Sequence, residues 1–157
     1  MIQRFIRRVL GLRAPGPVRI PKAKHSLARN RISPAALKVC EGLRAGGFEV
    51  THVSTGIDAL AAGEHDLILL DVVLPDMDGL EVCRQLKALP RLAPVPVIFL
   101  TSQSSPEAEV EGLMAGGIDY ITKPVNPPIL RARAHNHIEL KRSRDALERL
   151  ALLDSLT

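Results

Sequence analysis

Aromatic side chains are nearly missing from this chain. Tryptophan is absent, tyrosine occurs once and phenylalanine three times, 3% of the 157 residues. Its core must therefore be aliphatic, and a nucleic-acid surface built on stacked bases is excluded. Cys40 and Cys83 are the only cysteines, and they lack CxxC spacing. That removes a disulfide scaffold and a thiolate zinc site, and reads as two reduced thiols in or near helices of a cytoplasmic protein. No apolar run approaches the ~20 residues of a membrane span. Acidic residues are missing from residues 1–40, which carry ten Lys and Arg; the remaining residues hold eleven basic against seventeen acidic ones. The overall charge of +4 thus hides a basic arm and an acidic body.

The arm offers nucleic acid or an anionic membrane a positive surface. It has neither aromatics nor a recognisable reading helix, so it reads as a solvated tail with no specific nucleic-acid partner. Ile2, Phe5, Ile6, Val9 and Leu10 fall on one helical face opposite Arg4, Arg7 and Arg8. That stretch is too short to be stable alone. Pro15, Gly16, Pro17 and Pro21 mark Gly11 to Pro21 as linker. Residues 1–25 are thus expected to form a basic, disordered or weakly helical arm.

From Pro34 the pattern becomes regular. Ser33-Pro34 opens a helix that Gly46-Gly47 ends. Phe48 to Val53 alternates as a strand, and a helix follows from Thr55 or Gly56 to Gly63. Leu67–Leu70 and Val97–Leu100 are unbroken apolar runs, as parallel strands covered on both faces require. Between them lie a loop to Gly79 and a helix over Leu80–Leu89. Ser105-Pro106 caps a helix ending at Gly116-Gly117; Ile118–Ile121 is a short strand, and Asn126-Pro127 opens a long final helix. Such alternation implies βαβ units and a doubly wound parallel sheet. Four strands and five helices are evident, and one strand is owed before Pro34.

In such sheets functional groups gather at the carboxyl ends of the strands. Asp71, Thr101 and Lys123 each follow an apolar run there. A carboxylate can attack phosphorus to form an acyl phosphate, while an ammonium and a hydroxyl hold its oxygens. Asp76 and Asp78, in the loop after Asp71, read as turn residues. His135 and His137 are two apart on a helix and make a poor metal pair.

Leu67–Lys87 (LILLDVVLPDMDGLEVCRQLK), Pro96–Gln103 (PVIFLTSQ) and Asp119–Pro124 (DYITKP) resemble three motifs of bacterial response-regulator receiver domains. The resemblance implies a flavodoxin/CheY-like five-stranded sheet in order 2-1-3-4-5. It also implies that Asp71 accepts a phosphoryl group from a sensor histidine kinase or phosphotransfer protein. Thr101 and Lys123 would contact that group, Tyr120 would be the switch aromatic, and Mg²⁺ would bind Asp71 and the Val73 carbonyl. It implies a switching module rather than an enzyme. A haloacid-dehalogenase-like hydrolase would want a second Asp where Val73 stands.

Two departures from the family follow. Aligned back from Pro34, the first strand would fall on Leu27–Asn30, and the family's acidic pair becomes Arg31 and Ile32. A poorly packed strand is expected there, with Arg31 near Asp71 and Mg²⁺ binding weak or lost. Either the receiver is degenerate and acts without phosphorylation as a dimerisation or scaffold module, or residues 1–33 are non-native sequence. The receiver is expected to span residues 26–137. Residues 138–157 read as a signalling helix that continues as a dimeric coiled coil. Its end, Glu148–Thr157, resembles the entry into a GGDEF diguanylate cyclase domain, the expected output, at which the chain is taken to be truncated.

Overall fold

The computed structural model describes residues 9–13, 34–61, 65–103 and 105–156. Their elements run β1 (Val9–Arg13), α1 (Pro34–Ala45), β2 (Glu49–Val53), α2 (Gly56–Ala61), β3 (Leu67–Asp71), α3 (Gly79–Ala88), β4 (Val97–Thr101), α4 (Pro106–Met114), β5 (Asp119–Thr122) and α5 (Pro127–Ser155). The five strands form one sheet in the order β2-β1-β3-β4-β5.

Period-two alternation builds the core on both faces of this sheet. Leu67 and Leu69 of β3 join Ile98 and Leu100 of β4 in one cluster with Leu43 of α1 and Leu130 of α5. Ile68, Leu70, Val97 and Phe99 point the other way, onto Val82 and Leu86 of α3. Every side chain of β3 and β4 is buried, which is why these runs carry no outward polar position. Cys40 and Cys83 are buried, one in each cluster. The expected helix starts hold at Ser105, whose hydroxyl accepts from the Ala108 N–H, and at Asn126, whose carbonyl accepts from Ile129.

The central slot departs from expectation. Val9–Arg13 fills it, with Val9 opposite Val53 on one side and Leu70 on the other, and runs antiparallel to both neighbours. The sheet is therefore mixed: β2, β3, β4 and β5 run one way and β1 the other. The expected parallel strand at Leu27–Asn30 does not occupy this place; those residues and Arg31 lie outside the described ones, as do Met1–Arg8. The helical reading of Met1–Leu10 and the linker reading of Gly11–Pro21 both give way to strand over Val9–Arg13. An empty slot would leave two rows of buried amides unbonded. Val9-Leu10-Gly11-Leu12 carries no polar side chain, whereas Arg29 and Asn30 would bring polar groups into a central strand.

Candidate functional site

The site lies where β3 and β4 end. Asp71 is the last residue of β3 and Thr101 the last of β4; each is 4% exposed, and they are the buried polar side chains among the described residues. Asp71 is opposite Leu100 in register, so the two polar groups leave adjacent strands one residue apart. Lys123 follows β5 and reaches back across the sheet edge. Its Nζ donates to Asp71 Oδ2 at 2.6 Å, and both side chains are largely buried. The Val73 N–H donates to Asp71 Oδ1 at 3.2 Å. Lys123 is further held by its own N–H, which donates to the Thr101 carbonyl at 2.6 Å. The Lys123–Pro124 peptide, whose isomer the sequence left open, is cis.

The loop after Asp71 is tied down at both ends. Gly79 donates from its N–H to the Val72 carbonyl at 2.8 Å. A Cβ there would run into the Asp71 carbonyl and the Val72 backbone, so only glycine permits this closure. Asp76 and Asp78 are the turn residues expected. Asp76 accepts from the Gly56 and Ile57 N–H groups at 2.8 and 3.1 Å, joining the loop to the start of α2. Those bonds hold its carboxyl below the usual carboxylate range. Asp78 caps α3 by accepting from the Leu80 N–H at 3.0 Å.

Thr101, Gln103 and Tyr120 form a short relay beside this centre. The Gln103 N–H donates to Thr101 Oγ1, and the Tyr120 hydroxyl donates to the Gln103 carbonyl, both at 3.1 Å. Tyr120 packs partly against the α3-side core. Gln103 takes part through backbone atoms alone, so no side-chain pattern signals it. Two other clusters also escape sequence reading. Lys87 Nζ donates to the Ala93 and Val95 carbonyls at 3.0 and 2.6 Å, and burial pushes its pKa down. Asp119 meets Arg133 and His137 of α5 at 3.3 and 3.2 Å.

The donor set does not fit a divalent cation. Among the described residues no group of three His, Cys, Asp or Glu side chains could hold a metal. Asp71 is the carboxylate at the centre, with Val73 beside it. Arg31 and Ile32, the positions aligned with the acidic pair, lie outside the described residues. No helix among the described residues is long and apolar enough to cross a membrane.

Comparison with known proteins identifies a family and a fold. The family model of the response regulator receiver domain matches residues 34–135. A protein of Vibrio cholerae serotype O1 named "Probable cyclic di-GMP phosphodiesterase" is 47% identical over 91 residues, 58% of this chain and 21% of that protein. The cyclic di-GMP phosphodiesterase response regulator RpfG of Xanthomonas campestris pv. campestris is 39% identical over 61% of this chain and 26% of its own length. The chain spans about a fifth to two fifths of the length of the curated relatives it matches. A solved receiver domain of a sensor histidine kinase from Pseudomonas aeruginosa PAO1, with magnesium coordinated in its active-site cleft, superposes at TM-score 0.62. It is 32% identical and covers 68% of this chain and 91% of its own.

Proposed function

The chain belongs to the response regulator receiver domain family, and from that premise we propose that it is a phosphorelay receiver whose phosphoacceptor is Asp71. The observation that carries this reading is the buried Asp71 carboxylate at the end of β3, ion-paired to Lys123 at 2.6 Å, with Thr101 ending the next strand. A carboxylate oxygen attacks the phosphorus of a phosphohistidine on a sensor kinase or phosphotransfer protein. The new P–O bond forms as the P–N bond breaks, and the imidazole leaves with the electron pair and takes up a proton. Lys123 then balances charge on the phosphoryl oxygens, and Thr101 exchanges its bond from Gln103 for one to the phosphoryl group. That exchange slackens the Gln103 link to Tyr120, which turns inward as the switch aromatic.

The signal leaves through α5, a helix of 29 residues and about 43 Å. Its outer half pairs with a second copy and leads to an output that makes or degrades cyclic di-GMP. Relatives named as phosphodiesterases support that messenger; the likeness of Glu148–Thr157 to a GGDEF entry segment favours a diguanylate cyclase. The chain itself is a cytoplasmic switch, without turnover of its own. The test is incubation with radiolabelled acetyl phosphate: stable incorporation in the wild type and none in Asp71→Asn is expected, and equal labelling of both would refute Asp71 as acceptor.

A second reading is favoured by the want, among the described residues, of a cluster of three side chains that could hold a metal. A pseudo-receiver would act unphosphorylated, as a dimerisation or scaffold module. It requires a dimer whose affinity, measured by sedimentation, ignores both phosphodonors and Asp71→Asn.

A further inference from the structure

The Asp71 centre is chemically unbalanced for a metal. Its one carboxylate has both oxygens engaged: Oδ2 takes the Lys123 ammonium at 2.6 Å, and Oδ1 takes the Val73 N–H at 3.2 Å. The two acidic side chains of the loop that follows bond elsewhere, Asp76 to the start of α2 and Asp78 to the start of α3. Asp119 sits at the other end of the sheet, opposite Ile98, and pairs with α5. Residues 1–40 contain no Asp or Glu at all, so residues 1–33 have no carboxylate side chain to bring to the crevice.

Strand direction sharpens this point. Because β1 is antiparallel, the chain enters it at Val9, beside Leu70, on the edge where Asp71 lies. A parallel strand in the same slot would leave it there. A hard dication needs several oxygen ligands and charge to match, and here it would meet a single carboxylate already neutralised by an ammonium.

We infer that the Asp71 crevice binds no divalent cation and that Lys123 is the fixed cation in its place, so that the centre takes tetrahedral oxyanions and phosphoryl groups without a metal. The inference rests on Asp71 as acceptor only for the phosphoryl part. With acetyl phosphate, an Asp71 oxygen forms the new P–O bond, the donor's P–O bond breaks, and acetate departs with the electron pair. Lys123 offsets the charge gathered between the two anions.

The experiment has two arms on the full chain. In the first, MgCl₂ is titrated to tens of millimolar while the amide signals of Asp71, Val73 and Lys123 are followed by NMR. Shifts no larger than those in Asp71→Ala are expected; a saturable shift that Asp71→Ala removes overturns the inference. In the second, labelling by acetyl phosphate is compared in EDTA and in MgCl₂. Equal labelling supports the inference, and labelling that needs Mg²⁺ overturns it while leaving Asp71 as acceptor intact. No labelling in either buffer, with no Mg²⁺ shift, sinks the phosphoacceptor reading and leaves the metal-free centre standing. Lys123→Gln should cut labelling by roughly tenfold, and restoration by Mg²⁺ would count against Lys123 as the fixed cation.

Discussion

At the scale of single residues, the site is held by groups that serve each other's charge. Asp71 and Lys123 are both taken from water, and their pairing offsets the cost of burying each charge. Asp76 shows how the neighbouring loop is secured. Its carboxylate is exposed but accepts two N–H groups of the first turn of α2, and its pKa is lowered from 3.8 by those bonds. A lowered folded value means the unfolded chain binds the proton more readily. The contribution is therefore complete above pH 3.8 and fades as pH falls through the lowered value. Asp76→Ala should cost about 1 kcal/mol at neutral pH, as loss of a helix-start acceptor does. Urea melts of the two proteins should converge on acidification; a gap unchanged at pH ~3 would show that the bonds do not depend on the charge.

Among elements, α5 stands apart. Leu130, Ala134 and Ile138 are buried against the sheet, and there its role is to close the core over β3 and β4. Beyond Ile138 the large apolar side chains turn to solvent: Leu140, Leu147, Leu150 and Leu153 are each about 60% exposed. Leu140 and Leu147 are a heptad apart and Leu150 lies three residues on, a seam of coiled-coil spacing. An exposed apolar stripe of this length is costly for a monomer. The pair Leu147→Glu with Leu150→Glu should shift sedimentation from dimer to monomer at micromolar concentration and leave the thermal midpoint of the receiver core almost unchanged. A wild-type monomer under those conditions would remove the seam as an interface.

For the whole molecule, the question is which segment completes the sheet. β1 bonds to β2 and β3 at once, so it is worth more than an edge strand. Gly11→Pro would remove an N–H from its middle and leave a ladder carbonyl unpaired, at a cost of about 1–3 kcal/mol. Ala28→Pro, in the segment that alignment from Pro34 puts in the slot, should cost far less. Thermal unfolding of the two variants distinguishes the arrangements; a larger loss from Ala28→Pro would return the slot to Leu27–Asn30.

Residue order by itself was enough for the body from Pro34 onward, because its signals are local. Continuous apolar runs mark buried strands, and Ser105-Pro106 and Asn126-Pro127 mark helix starts. Asp71, Thr101 and Lys123 could be placed together for the same reason: each ends or follows such a run, and a parallel sheet aligns those ends. The central strand was beyond such reading. A period of two and a period of 3.6 are barely separable over five residues, and Val9–Arg13 fits both. Its direction leaves no trace in its residues at all. Only the slot between β2 and β3, with amides to satisfy on both sides, decided that Val9–Arg13 would be a strand, and only the sheet shows that it runs against its neighbours.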